Sequence, residues 1–70
     1  MPSSVIARFA YHPDDHRLEV WFRTGRCYAY HNVPAAVAAA LERAPSKGSY
    51  FNAHIRDAFE STRIDRPPVG

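Results

Sequence analysis

Between Val5 and His31 the chain runs in short β-branched and aromatic stretches separated by turn residues; beyond Pro34 the apolar positions recur at helical spacing. Val5 to His12 has strand character, and His12-Pro13-Asp14-Asp15-His16 is turn chemistry, since proline fixes φ and aspartate can bond its own backbone. Leu18-Glu19-Val20-Trp21-Phe22 alternates with period two when Trp21 faces outward, as a half-buried strand does. Arg23-Thr24-Gly25 forms a second turn and Cys27 to His31 a third strand. The pattern predicts a three-stranded antiparallel meander.

The register of the second hairpin follows from its turn. A two-residue type I′ loop would put the β-branched Thr24 at positive φ, which such a residue resists. With Gly25 in the left-handed position of a G1 bulge, Phe22 pairs with Arg26, Val20 with Tyr28 and Leu18 with Tyr30. Tyr28 and Tyr30 then join Leu18, Val20 and Phe22 on one face, while Glu19, Trp21, Cys27, Ala29 and His31 occupy the other; a slip of one residue would reverse this. In the first strand, Tyr11 facing Leu18 and Phe9 facing Val20 would turn Ile6 outward. Either a bulge lies near Ala7, or a second chain covers Ile6.

In the second half, Asn32 can cap a helix whose first turn holds Pro34, where a missing N–H is harmless. Val37, Ala40, Leu41 and Ala44 form its apolar stripe, and Pro45 stops it. Ser46 caps a second helix, expected over Gly48 to Glu60, with Phe51, Ile55, Ala58 and Phe59 on one buried face. The expected fold class is α+β, in the order β-β-β-α-α. Both helices cover one face of the sheet and leave the face around Trp21 open. Residues 1–62 make one domain, and residues 63–70, with Pro67 and Pro68, form a flexible tail.

Composition sharpens this picture. A chain of 70 residues buries only about 60% of its unfolded surface and is thinly stabilised. The single cysteine, Cys27, excludes an intramolecular disulfide and fits a reducing cytoplasm, so a homodimer is the expected reinforcement. No apolar run is long enough to span a membrane, and MPSSVIARF lacks a signal-peptide pattern. The net charge of +2 permits an anionic partner without demanding one.

Several positions form a recognisable spaced pattern. Ser4, Ile6, Phe9 and Tyr11 lead into Leu18-x-Val20-x-Phe22-x-x-Gly25 and Tyr28-x-Tyr30-x-x-Val33-Pro34. The densest part is Ala44-x-Ser46-x-Gly48-x-Tyr50-Phe51-Asn52-x-x-Ile55-Arg56. This resembles the KTSC domain, named for its occurrence at the C-terminus of some lysyl-tRNA synthetases, and the likeness covers about residues 3 to 59. Ala10, His12 and Phe59 stand where glycine, aspartate and tyrosine are common; these changes touch turns and packing. The resemblance implies a small freestanding or appended module with no established catalytic activity. Attachment to a synthetase suggests a nucleic-acid role, by association alone.

Ser46-Lys47-Gly48-Ser49 lacks the GxxxxGK[ST] spacing and preceding strand of a nucleotide-binding loop. A capped helix start assisted by Lys47 can still attract anions, although capping alone explains Ser46. Asn52 and Arg56 lie four apart, off the apolar stripe, and suit phosphate oxygens. Against this, Arg56 can pair with Glu60 and Asn52 can tie the helix to the sheet. Trp21 is suited to base stacking with Arg8, Arg23 and Arg26 nearby, or to anchoring a homodimer beside Cys27 and Ala29, with Ile6 joining it. The four histidines and Cys27 lack compact zinc-ligand spacing, so no metal is expected. No cofactor is expected either, and no acid-base pair or oxyanion device points to an enzyme.

The sequence reading is thus a non-catalytic, dimeric, cytoplasmic nucleic-acid-binding module. Lys47, Asn52, Arg56, Arg23, Arg26 and Arg8 would contact RNA or DNA, the choice between them open. The alternative is a protein–protein interaction module that uses the exposed sheet face around Trp21.

Overall fold

The structure is a computed structural model and describes residues 6–64. The chain runs β1 (Ile6–His12), β2 (Arg17–Phe22), β3 (Cys27–Tyr30), α1 (Ala35–Arg43), α2 (Lys47–His54) and β4 (Ser61–Arg63). All four strands join one antiparallel sheet in the order β1-β2-β3-β4. The expected meander and two helices are present, and a fourth strand is added to them.

The β2–β3 hairpin takes the bulged register. Gly25 lies at φ 96°. Its N–H donates to the Phe22 carbonyl at 2.9 Å, and the Phe22 N–H donates to the Arg26 carbonyl at 2.8 Å. Leu18 stands opposite Tyr30 and Val20 opposite Tyr28. In β1, Tyr11 faces Leu18 and Phe9 faces Val20, but the register shifts between Ile6 and Arg8 and brings Ile6 opposite Phe22. The bulge therefore turns Ile6 inward, where it is 5% exposed. Ile6 belongs to its own chain's core and is not available as a dimer or stacking contact.

The entry to α1 differs from expectation. Asn32 is in the left-handed region at φ 59° and does not cap the helix; Pro34 occupies the cap position without a side-chain bond. The cause is a tether just downstream: the Val33 N–H donates to the His16 carbonyl at 2.8 Å. The chain must turn sharply before that bond, and asparagine tolerates the required backbone better than most residues. Tyr11 fixes the same segment, its hydroxyl donating to the Val33 carbonyl at 2.6 Å.

Helix α2 starts as expected. Ser46 Oγ accepts from the Ser49 N–H at 3.3 Å. It ends early, at His54 rather than Glu60. The Ile55 and Arg56 N–H groups both bond to the Phe51 carbonyl at 2.9 Å, and the Ala58 N–H bonds to the Ile55 carbonyl at 3.1 Å. These bonds unwind the helix into a turn and aim the chain back at the sheet. The spacing of Ile55, Ala58 and Phe59 reads as a helical stripe, yet only Ile55 is fully buried there; Phe59 packs on the core from the return segment and Ala58 is exposed.

The return has a physical reason. Without it, β3 would present a row of unpaired N–H and C=O groups. Ser61, Thr62 and Arg63 pair with Tyr30, Ala29 and Tyr28, flanked by His31 N–H to Glu60 O at 2.9 Å and Ile64 N–H to Cys27 O at 2.7 Å. The sheet therefore runs past the boundary expected at residue 62, and Arg63 is in a strand; residues 65–70 of the expected tail lie outside the described residues. The core between sheet and helices contains Leu18, Val20, Tyr30, Val33, Leu41, Phe51 and Ile55.

Thr62→Pro tests the added strand. Thr62 sits opposite Ala29, between the bonded pairs on either side, and proline there removes a ladder donor. We expect a loss of about 1–3 kcal/mol in urea unfolding, and a clearly smaller loss for Thr62→Val, which keeps the backbone N–H. Equal losses would show that strand pairing is not what stabilises this edge.

Candidate nucleic-acid interface

The hairpin register and the early end of α2 together open a groove of about 630 Å³ on the helical side of the sheet. Its apolar lining comes from Phe22, Tyr28, Tyr30 and Phe51. Phe51 meets Phe22 edge-on at 5.5 Å between ring centres and meets Tyr30 at 5.3 Å; Phe22 meets Tyr28 at 5.8 Å. Such pairs add about 0.5–1.5 kcal/mol each beyond area burial, which helps hold the lining together. Tyr30 and Phe51 are buried, while Phe22 and Tyr28 are half-buried and offer ring surface to a ligand.

Charged and polar groups surround these rings. Arg23 and Arg26 come from the hairpin loop, Asn52 from α2, and Arg56 and Asp57 from the turn that ends it. Thr24 and Ser61 complete the lining. Arg26, Asn52 and Arg56 are exposed and make no ion pair or side-chain hydrogen bond with any described residue. The pairing of Arg56 with Glu60 does not form, because the chain leaves the helix at Ile55 and the i, i+4 relation is lost. Asn52 does not tie α2 to the sheet.

Four of the six residues expected to contact phosphate thus meet in one groove. The other two lie elsewhere. Lys47 Nζ donates to the Ala44 carbonyl at 3.3 Å and so satisfies the end of α1. Arg8 is on the opposite sheet face, its guanidinium carbon 4.8 Å from the centre of the Trp21 ring. The aromatic lining was implicit in the hairpin register. Asp57 and Ser61 were hidden by the assumption that α2 continues to residue 60.

The sheet face around Trp21 is less open than its sequence pattern implies. Glu19 is 6% exposed, and Cys27 and Ala29 are each 3% exposed. Glu19 is flanked by His12 Nε2 at 3.4 Å and Arg17 Nε at 3.3 Å, while Arg17 also reaches Asp15 at 2.7 Å. A carboxylate this buried persists where a cation such as the Arg17 guanidinium meets it. Trp21 itself is half-buried, and its indole N–H has no hydrogen-bond partner among the described residues.

The remaining histidines are dispersed. His31 Nε2 is 2.8 Å from Thr62 Oγ1, and the His54 ring lies 4.5 Å from that of Tyr50. Among the described residues, no group of three or more His, Cys, Asp or Glu could hold a metal, and no helix is long and apolar enough to cross a membrane. Tyr30 has a raised pKa: burial is the main cause, Tyr28 adds to it, Arg56 opposes it and Asp57 raises it further. Arg56 and Asp57 therefore both act on the same ring inside the groove.

Comparison with known proteins places this geometry among relatives. A family model described as the KTSC domain matches residues 2–59. A lysine–tRNA ligase of Nostoc punctiforme is 40% identical over 61 residues, which make up 87% of this chain and 11% of the ligase. The chain thus spans only a small part of the length of the ligases it matches. An uncharacterized protein of Stutzerimonas stutzeri is 40% identical over 52 residues, 74% of this chain and 73% of that protein. The crystal structure of a KTSC domain protein from Yersinia pestis superimposes with a TM-score of 0.85 at 34% identity, covering 91% of this chain and 90% of that one.

The buried Tyr30 phenol gives a pH test. Its neutral form is favoured in the fold, so its contribution to stability is complete below the unfolded value of 10.0 and is lost as pH rises above it. Stability of the wild type should fall more steeply above pH 10 than that of Tyr30→Phe, as read by urea unfolding at a series of alkaline pH values. Parallel profiles would mean that the phenol is not held in its neutral form.

Proposed function

The chain belongs to the KTSC domain family, and for this member we propose the role of a non-catalytic module that binds single-stranded nucleic acid in the groove between the β2–β3 hairpin and α2. The observation that carries this reading is the convergence of Arg26, Arg56 and Asn52, whose side chains make no ion pair or hydrogen bond among the described residues, around half-buried Phe22 and Tyr28. Guanidinium groups attract phosphates from any sequence, and exposed ring faces stack unpaired bases for about 1–3 kcal/mol each. A duplex keeps its bases stacked inside and offers these rings nothing. A related segment occurs in ligases whose name includes tRNA, which agrees with the reading.

Fluorescence anisotropy with labelled single-stranded RNA and DNA at several salt concentrations tests the proposal. Affinity should fall as salt rises, with the log–log slope reduced by about 0.7 for each phosphate contact removed. Arg26→Ala and Arg56→Ala should each show that reduction, and Arg8→Ala, on the far face, should not. Failure of both nucleic acids to bind at low salt would remove the reading.

The alternative is a protein-interaction role for the face around Trp21, including self-association. It draws on one observation, the Trp21 indole N–H that lacks an acceptor among the described residues; buried indoles usually have one. Where the partner is a second copy of the chain, the wild type sediments as a dimer and Trp21→Glu as a monomer. Monomeric mass for both proteins would refute self-association through this face.

A further inference from the structure

We propose that Asp57 makes the groove select guanine among unpaired bases, an inference that rests on the groove being a single-strand site. A carboxylate is out of place in a groove built for phosphate alone, since it repels the ligand that Arg23, Arg26 and Arg56 attract. Asp57 nevertheless lines that groove and makes no ion pair or side-chain hydrogen bond with any described residue. The turn does not use it: the local bonds run from the Arg56 N–H to Phe51 and from the Ala58 N–H to Ile55, main chain to main chain. Asp57 shares the groove lining with Phe22, Tyr28, Tyr30 and Phe51, the rings on which a base would stack, so its carboxylate is available to the edge of that base.

An ionised carboxylate only accepts, and it has two oxygens to satisfy. Guanine presents two adjacent donors, N1–H and the N2 amine, on the edge it uses for pairing. Adenine and cytosine set an amine beside a ring-nitrogen lone pair. Uracil and thymine set a single N–H between two carbonyls. Only guanine meets both oxygens without a facing lone pair, and only when unpaired, because in a duplex cytosine occupies that edge. Asn52 lines the same groove and supplies amide N–H donors of the kind that suit guanine O6.

The test uses the full chain and labelled uridine heptamers whose central base is uracil, guanine, adenine, cytosine or hypoxanthine, read by fluorescence anisotropy at low salt. The guanine heptamer should bind roughly tenfold more tightly than the uracil one, as a good bidentate contact provides. Hypoxanthine, which lacks the N2 amine, should lose most of that gain. Asp57→Asn should abolish the preference while binding the all-uridine heptamer at least as tightly as wild type, because a negative charge has gone. Asp57 is exposed in a turn, so the variant keeps the fold, which circular dichroism checks. Equal affinity for all five heptamers would overturn the role of Asp57 and leave the groove standing, as would a guanine preference that survives Asp57→Asn. No binding by any heptamer or by its deoxyribonucleotide counterpart would overturn both.

Discussion

The left-handed backbone of Gly25 sets the facing of every residue in the β2–β3 hairpin, and much of the molecule follows from it. With glycine there, the loop bulges and Tyr28 and Tyr30 join Leu18, Val20 and Phe22 on the helical side. One step of slippage would expose the buried Tyr30 and the half-buried Tyr28, and full burial of a large side chain is worth about 1.5–3 kcal/mol. A domain this small could not absorb that loss. The same turn also delivers Arg23 and Arg26 to the groove rim, directly beside the rings that the register has turned inward. Core and candidate site therefore share one geometric cause.

A second constraint is the edge of β3. Covering it requires the chain to abandon α2 after His54 and return as β4. The turn that makes this possible carries Arg56 and Asp57 out of helical geometry and into the groove. Satisfaction of backbone hydrogen bonds in one place thus fixes side-chain chemistry in another. On the far face, polar burial follows a different rule: Glu19 stays under cover because His12 and Arg17 stand against it.

The parts legible in the sequence are those with a strong local cause. Thr24-Gly25 dictates the bulge, Ser46 the start of α2, and the alternation from Leu18 to Phe22 the sheet face. What escaped was set by tertiary pairing. Ile55, Ala58 and Phe59 have helical spacing, yet the open edge of β3 outweighs that periodicity. Asn32 has the chemistry of a cap, but the bond from Val33 to His16 puts it to use in a turn. In the groove, arginine types and helix spacing pointed to Asn52 and Arg56, and turn position to Arg23 and Arg26. No local signal separates these from Lys47, which bonds the end of α1, or from Arg8, which lies over Trp21.

Trp21 is the single tryptophan of the chain and sits on the sheet face turned away from the groove, beneath a guanidinium. Tryptophan emission, excited at wavelengths beyond the absorption of tyrosine, is therefore a one-site signal from that face alone. A ligand that enters the groove meets tyrosines and phenylalanines and leaves the indole in its own surroundings. A protein that covers the opposite face displaces Arg8 or water from the ring and changes the emission. The molecule carries an optical label that separates an encounter on one side of the sheet from an encounter on the other.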